Sequence, residues 1–370
     1  MCDVPALRFP EFTEEWKKIR LGDNCNIQMC KRIMAAQTNT EGGVPFYKIG
    51  TIGGKADAYI SKDLFDEYKR KYSYPNKGEV MITCAGTVGK CVIYDGEDSY
   101  YQDSNIVWID NPNEIISNDF LYHLLSNINW SYLNSTTIVR IYNDDLRNLK
   151  LCCPRLDEQK KIANFLSLID ERIAAQNKII EKLETLIKGI RHNIFKQLRK
   201  DVGFNATIGN ILSFEQPQRY IVSSAEYSSD CTFTPVLTAN KAFILGYTTE
   251  TDGIYSKGDC IIIDDFTLDC KYVSFPFKVK SSAIKILTAK NKYILRYTYE
   301  YLKSLELSTE EHKRHYIAEV QPHSCVLPDE NTLKTIAMVF ENLACKLADE
   351  QSLVLILNKQ KQYLLSKMFI

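Results

Sequence analysis

Residues 157–198 read DEQKKIANFLSLIDERIAAQNKIIEKLETLIKGIRHNIFKQL. The stretch contains no proline, and its apolar residues fall at Ile162, Leu166, Ile169, Ile173, Ile180, Leu183, Ile187, Ile190 and Ile194. The steps alternate four and three, with one polar interruption at Gln176. Such spacing averages 3.5 residues, the period of a coiled-coil seam rather than of a globular helix face. Lys, Glu, Gln and Arg fill the intervening positions, and these residues favour helix while remaining in water. At 1.5 Å per residue the helix would be roughly 60 Å long. A helix of that length with an apolar seam needs a partner to cover it.

The last forty or so residues supply one. Between Asn331 and Ile370 a second seam runs through Ile336, Phe340, Leu343, Leu347, Val354, Leu357, Leu364 and Met368. An offset of 174 residues carries Leu166, Ile169, Ile173, Ile180, Leu183, Ile190 and Ile194 onto the last seven of these. The same offset carries Gln176 onto Glu350 and Pro154 onto Pro328, while Ile187 falls on Lys361. A fixed offset that preserves both seam and polar gap indicates an internal duplication.

The regions before each helix repeat as well. From Val44 the chain breaks into short β-type runs bounded by turn residues, PFYKIGTIGG, GEVMITCAGTVGKCVIY and SNIVWID, followed by a helix near 117–126 capped by Ser117 or Asn118. After Lys200 the order returns. Thr207–Asn210 echoes Arg20–Asp23, PVLTANKAFILG echoes PFYKIGTIGG, Lys257–Asp259 echoes Lys77–Glu79, CIIIDDFT echoes VMITCAGT, and SSAIKIL echoes DSNIVWI. Arg314 and Tyr316 echo Arg140 and Tyr142. The expected domains are 1–153, a helix over 154–200, a second domain over 201–327, and a helix over 328–370. Two long helices with matching seams, each following its own globule, are expected to pack antiparallel about a pseudo-two-fold axis and to set the globules apart. If both globules touched one duplex, at about 3.4 Å per base pair their contacts would lie one to two helical turns apart.

Composition narrows the function classes. The 370 residues carry 46 Lys+Arg against 46 Asp+Glu, so charge alone does not mark a nucleic-acid binder. The distribution is less even. From Cys270 to Tyr299 there are seven cations and no acid, interleaved with Tyr272, Phe275, Phe277, Tyr293, Tyr297 and Tyr299. Lys69, Arg70 and Lys71 form a second basic run ahead of Tyr72 and Tyr74. Twelve cysteines occur without a CxxC pair, which argues against zinc, and with no signal peptide or membrane-length apolar span they point to reduced thiols in a cytoplasmic protein.

Catalytic patterns are weak. Asn111, Pro112 and Asn113 begin like an amino-methyltransferase box, but the third position and Glu114 break it. Gly86, Gly89 and Lys90 suggest a phosphate loop, but Cys84 stands where Gly is needed and Cys91 where Ser or Thr is needed. His312 and His315, near Glu311, read as a surface pair rather than a metal site. No nucleophile–base constellation can be singled out.

The layout, together with LRFPEFTEEW, the KGE turn leading to a strand and GTVGK, and PRLDEQKKIANFLSLIDERI, closely resembles the specificity subunit of type I restriction–modification systems. The resemblance covers nearly the whole chain and is most specific at Leu7–Trp16 and Pro154–Ile173. Two departures stand out: Asp329, Glu330 and Asn331 are a degenerate form of the DEQ at 157–159, and the second half lacks the RFPEF…W lead-in. The resemblance implies an α+β protein with two similar target-recognition domains separated by an antiparallel pair of long coiled-coil helices. It implies no chemistry and no cofactor of its own. Each domain would read half of a bipartite double-stranded DNA site, and the subunit would hold two methyltransferase (modification) subunits and, through them, endonuclease–translocase subunits. S-adenosylmethionine and ATP would belong to those partners, and no membrane is involved.

Residue chemistry supplies the candidate contacts. Cations position a protein on phosphates, and for this role the candidates are Lys69, Arg70, Lys71 and Lys90, then Lys241, Lys271, Lys278 and Lys285. Base edges are read by paired donors and acceptors, and by Thr against the thymine methyl. The candidates in turns after β-type runs are Thr83, Thr87, Gln102, Ser104 and Asn105, then Thr238, Asn240, Thr267 and Ser282. A second reading, favoured by the neutral charge, is a coiled-coil scaffold that binds protein partners without DNA sequence specificity.

Overall fold

The computed structural model describes residues 4–112, 115–133, 140–239, 242–307, 309 and 313–369. They form two compact units, residues 1–175 with 354–370, and residues 176–353. In the first unit the chain runs through β1 (Lys17–Arg20), α1 (Leu21–Asn24), β2 (Asn26–Met29), β3 (Val44–Tyr47), β4 (Tyr59–Ile60), α2 (Lys62–Lys71), β5 (Val80–Thr83), β6 (Cys91–Ile93), β7 (Tyr100–Tyr101), β8 (Ile106–Asp110), α3 (Asn118–Asn127), α4 (Asn143–Arg147) and β9 (Lys150–Cys153) into α5 (Leu156–Asp201). Four strands make an antiparallel sheet in the order β2-β8-β5-β6. A three-stranded sheet, β4-β3-β7, pairs β3 with β7 in parallel, and β1 pairs with β9.

The apolar runs are explained by two cores on opposite faces of the larger sheet. Val80, Ile82, Val107 and Ile109 pack with Phe120, Leu121 and Leu124 of α3. Met81 and Trp108, alternating with them, pack with Phe46, Phe65 and Tyr100 on the other side. A strand covered on both faces loses the polar half of its alternation. Ser117 starts α3 as expected, its hydroxyl accepting the Phe120 amide at 3.4 Å.

The second unit contains β10 (Ala206–Thr207), α6 (Ile208–Ile211), β11 (Leu212–Glu215), β12 (Thr234–Leu237), β13 (Ile244–Thr248), β14 (Cys260–Asp264), β15 (Cys270–Val273), β16 (Lys278–Val279), β17 (Ile284–Ala289), α7 (Lys292–Ser304), β18 (Ser324–Cys325) and the start of α8 (Glu330–Met368). Its sheets are β11-β17-β14-β15, β13-β12-β16 and β10-β18, the arrangement of the first unit strand for strand, with β12 and β16 again parallel. Two elements differ: α2 has no counterpart between β13 and β14, and a turn of π-helix at Tyr316–Val320 stands where the first unit has α4. The repeated glycine near the start of each unit has a steric cause. A Cβ on Gly22 would lie 2.8 Å from the Arg147 carbonyl oxygen, and one on Gly209 would lie 2.5 Å from Gln321 Cγ.

Each unit contains a portion of both long helices. In the first, Ile162 and Leu166 share a core with Leu364, Leu365 and Met368, and Asp170 pairs with Lys361 at 2.5 Å. In the second, Ile187 and Phe195 pack with Leu333, Ile336 and Phe340, and the Gln176 amide donates to the Glu350 carboxylate. Contacts rise along one helix as they fall along the other, so the pair is antiparallel within each unit. The polar interruption of one seam meets that of the other, and Lys361, the flaw in the repeat, is matched by Asp170. Phe195 lies one position off the expected seam and is buried against Tyr297 and Tyr301.

The lead-in and the DEQ stretch meet. Arg8 binds Glu158 through two hydrogen bonds of 2.7 Å, and the Trp16 indole donates to the same carboxylate at 3.3 Å. The Gln159 amide donates to Pro154 O and Ile115 O and accepts the Ser117 amide. The two helices begin 174 residues apart, at Leu156 and Glu330, so Glu158 and Gln159 correspond to Thr332 and Leu333. The alignment of Asp329–Asn331 with the DEQ is therefore corrected: Asp329 instead accepts the amides of Asn331 and Thr332 at the helix start. With no lead-in to grip, the second unit has Thr332 where the first has Glu158, and an apolar Leu333 stands where the first has Gln159.

The cysteines follow expectation except at one place. Ten of those described are free thiols, whereas Cys152 is disulfide-bonded. Among the described residues no helix is long and apolar enough to cross a membrane.

Candidate nucleic-acid interface

In the first unit, three connecting segments converge beyond the end of β5. The turn from Cys84 to Lys90 is closed by Thr83, whose hydroxyl donates to Thr87 O and accepts the Lys90 amide at 3.0 Å. The segment before β8 is tied to it by the Cys84 amide, which donates to Asn105 O at 2.8 Å. The segment entering α4 joins through the Ile141 amide, which donates to Cys84 O at 2.9 Å. Gln102 links the cluster to β3, its amide donating to Tyr47 O at 2.9 Å and its side-chain oxygen accepting the Ile49 amide at 3.4 Å. Thr87, Lys90, Gln102, Ser104 and Asn105 are thus brought together. Thr83 is buried and closes the turn, and Lys90 donates its ammonium to Ile52 O. The turn leads into β6 rather than a helix, so the phosphate-loop context is absent here.

The second unit repeats this frame. The Asp265 amide donates to Ala283 O at 2.8 Å, the His315 amide to Asp265 O at 2.9 Å, and the Lys280 amide to Leu237 O at 3.1 Å. Thr267 and Ser282 lie in this cluster. Thr238, expected to read bases, is instead buried just beyond the end of β12, its amide donating to Phe243 O. Lys271 is on the edge strand β15. Asn240 and Lys241 lie outside the described residues, as do Asn113, Glu114, Glu311 and His312.

Two of the expected cations are corrected. Lys278 is 3% exposed, 2.7 Å from the Glu250 carboxylate and donating to Asp252 O at 2.6 Å. Its ammonium holds the Glu250 carboxyl below the usual carboxylate range. Lys285 is 1% exposed, 3.1 Å from the Asp265 carboxylate and 2.9 Å from the Gln216 side-chain oxygen. Neither ammonium faces outward, because the β-strand that carries each one turns it into the core. The sequence run could not show this, since an alternating strand hides every second cation.

The basic run Lys69–Lys71 lies elsewhere, on the last turn of α2. Lys69 pairs with Asp98 at 3.0 Å and sits over the rings of Phe65 and Tyr74; Lys71 pairs with Glu67 at 2.6 Å. Asp98 precedes β7 whereas Gln102 follows it, so this patch and the loop cluster lie at different ends of that strand.

The loop clusters include two residues absent from the expected contacts. Arg140 donates to Ser104 O at 3.4 Å and lies 5.8 Å from the Tyr142 ring centre. Arg314 lies 3.8 Å from the Asp265 carboxylate and 5.9 Å from the Phe266 ring centre. The shared 174-residue offset was the signal that could have found them.

Most of the described free thiols are enclosed, Cys231 and Cys345 being exposed. Burial pushes the thiols of Cys84, Cys91, Cys153 and Cys260 up to about 12. It also pushes His123 down to about 4, against the opposing pull of Asp170. Among the described residues no group of three or more His, Cys, Asp or Glu is placed to hold a metal.

Two units of one topology, each presenting a loop cluster and each gripping a share of two antiparallel helices, define a duplicated α+β helix-linked class. Residues 13–185 match the family described as the type I restriction modification DNA specificity domain. It is 49% identical over 172 residues to a putative type I restriction enzyme specificity subunit of Haemophilus influenzae, a match covering 46% of this chain and 44% of that protein. It is 44% identical over 141 residues to a type I restriction enzyme specificity subunit of Escherichia coli, covering 36% of this chain and 35% of that protein. These matches span less than half the length of those relatives. In fold the chain is similar to the crystal structure of a type I restriction–modification S subunit from M. genitalium, with a TM-score of 0.66 at 18% identity, covering 100% of this chain and 99% of that one.

Proposed function

We propose that this chain is the DNA-reading subunit of a type I restriction–modification complex, each unit reading one half of a two-part target. The observation that carries the proposal is the duplicated loop cluster, built in both units on the same strands with the same tying hydrogen bonds. In this reading Thr87, Lys90, Gln102, Ser104 and Asn105 face one half-site, and Thr267, Lys271 and Ser282 the other, with Asn240 and Lys241 retained from the sequence. Lys278 and Lys285 support their unit from inside. The helices α5 and α8 fix the unread spacer and, with the domains, dock two methyltransferase subunits, which supply the chemistry and through which endonuclease–translocase subunits join.

Mapping methylated adenines in cells with and without the gene tests this. The expected result is a two-part motif with a spacer of constant length that disappears with the gene. A gene-dependent motif without a spacer, or no dependence at all, would overturn the proposal.

A further inference from the structure

We infer that Arg140 and Arg314 are equivalent contacts to the phosphate backbone of duplex DNA, one from each unit; this rests on the DNA-reading proposal above. Their equivalence is structural as well as numerical. The amide following each arginine donates at 2.9 Å to the carbonyl of the first residue after the central strand, Ile141 to Cys84 and His315 to Asp265. Each guanidinium then reaches back to the converging segments, Arg140 to the Ser104 carbonyl and Arg314 to the Asp265 carboxylate.

Identity at this position contrasts with its surroundings. The matched segments Gln102–Asn105 and Lys280–Ala283 share only a serine, and the turns after β5 and β14 differ in length and sequence. Residues that read bases must differ between domains that read different half-sites. A residue that grips a feature common to every duplex has no such reason to differ, and the phosphate backbone is that feature.

The local chemistry suits a phosphate. Arg314 faces Asp265, but that carboxylate is already met by the buried Lys285 ammonium at 3.1 Å, so the cluster of three charges keeps a net positive one at its surface member. Arg140 donates to the Ser104 carbonyl at the corresponding place in the first unit. Each guanidinium also lies within 6 Å of an aromatic face, Tyr142 at 59% exposure and Phe266 at 36%. Such a face holds the planar group without neutralising it and reduces the rotamer freedom lost on contact.

The test uses the full-length protein and fluorescent duplexes of several unrelated sequences, with affinity measured across a range of salt. Arg140→Gln and Arg314→Gln should each weaken binding by the same factor on every duplex. Each should also flatten the slope of log affinity against log salt by about 0.9, and the pair by about 1.8. Arg140→Lys and Arg314→Lys, which keep the charge, should retain the parental slope and guard against a folding defect. An unchanged slope in both Gln variants, or a loss confined to one sequence, would overturn the inference. Absence of salt-dependent duplex binding by the unsubstituted protein would take down the DNA-reading proposal, and this one with it.

Discussion

Lys285 meets Asp265 at 3.1 Å with their side chains 1% and 2% exposed, at the positions where the first unit has Val107 and Cys84. The same backbone frame therefore tolerates either an apolar pair or an ion pair. Removing one member of a buried ion pair strips the other of its main counter-charge, which costs about 3–5 kcal/mol, whereas replacing both with apolar groups is often neutral or stabilising. We predict that Lys285→Val and Asp265→Cys each destabilise by about 3 kcal/mol or more, while the double variant recovers most of the loss. Denaturant unfolding of the three variants checks this; a double variant no better than the worse single would contradict it.

The Arg8–Glu158 clamp gives a second stability prediction. Arg8 is 11% exposed and Glu158 2%, so Glu158→Ala leaves a largely covered guanidinium without its ion-pair partner and frees the Trp16 indole. A loss of about 3 kcal/mol is expected, with less in Arg8→Ala/Glu158→Ala than in the single change. Equal losses in both would show that the pair is not coupled.

His123 gives the first unit an acid-sensitive step. Its folded value is near 4, below the usual 6.5 or so, because burial disfavours the imidazolium even with Asp170 3.9 Å away. The unfolded chain therefore takes up this proton first as pH falls. Stability attached to His123 is complete above about pH 6.5 and is lost progressively down to about 4, to a total of about 3 kcal/mol. The slope of unfolding free energy against pH between these limits should be shallower in His123→Phe; an unaltered slope would remove His123 as its source.

For the α2 patch, Lys69 and Lys71 already pair with Asp98 and Glu67, whereas no ion pair to Arg70 is among the described ones. Changing all three to Ala should weaken DNA binding and lower the salt slope by about one unit rather than three. Arg70→Ala alone should account for most of that change. An unchanged slope would take the patch off the interface.

The spacer can be tested by length. One heptad inserted into both α5 and α8 preserves each seam and adds roughly 10 Å, equivalent to about three base pairs. The unread gap of the methylated motif should lengthen accordingly. Methylation that persists at the original spacing would mean the helices do not set it.

Much of the architecture was present in residue order. The heptad steps from Ile162 to Ile194, their copy ending at Met368, and the matching gaps at Gln176 and Glu350 require two long helices that share a seam, because only a mutual contact removes both stripes from water. The apolar runs at Val80 and Cys260 likewise imply strands covered on both faces. Side-chain direction was not legible. Lys278 and Lys285 read as part of a basic surface, yet the strands that carry them point them inward, toward acids distant in sequence. Arg140 and Arg314 were visible only as an echo until hydrogen bonds between distant segments placed each beside its loop cluster. Periodicity is a local property, so sequence alone determined the helices, the strands and the duplication. Which cations face outward depends on register and on partners such as Glu250 and Asp265, and those only the tertiary structure decided.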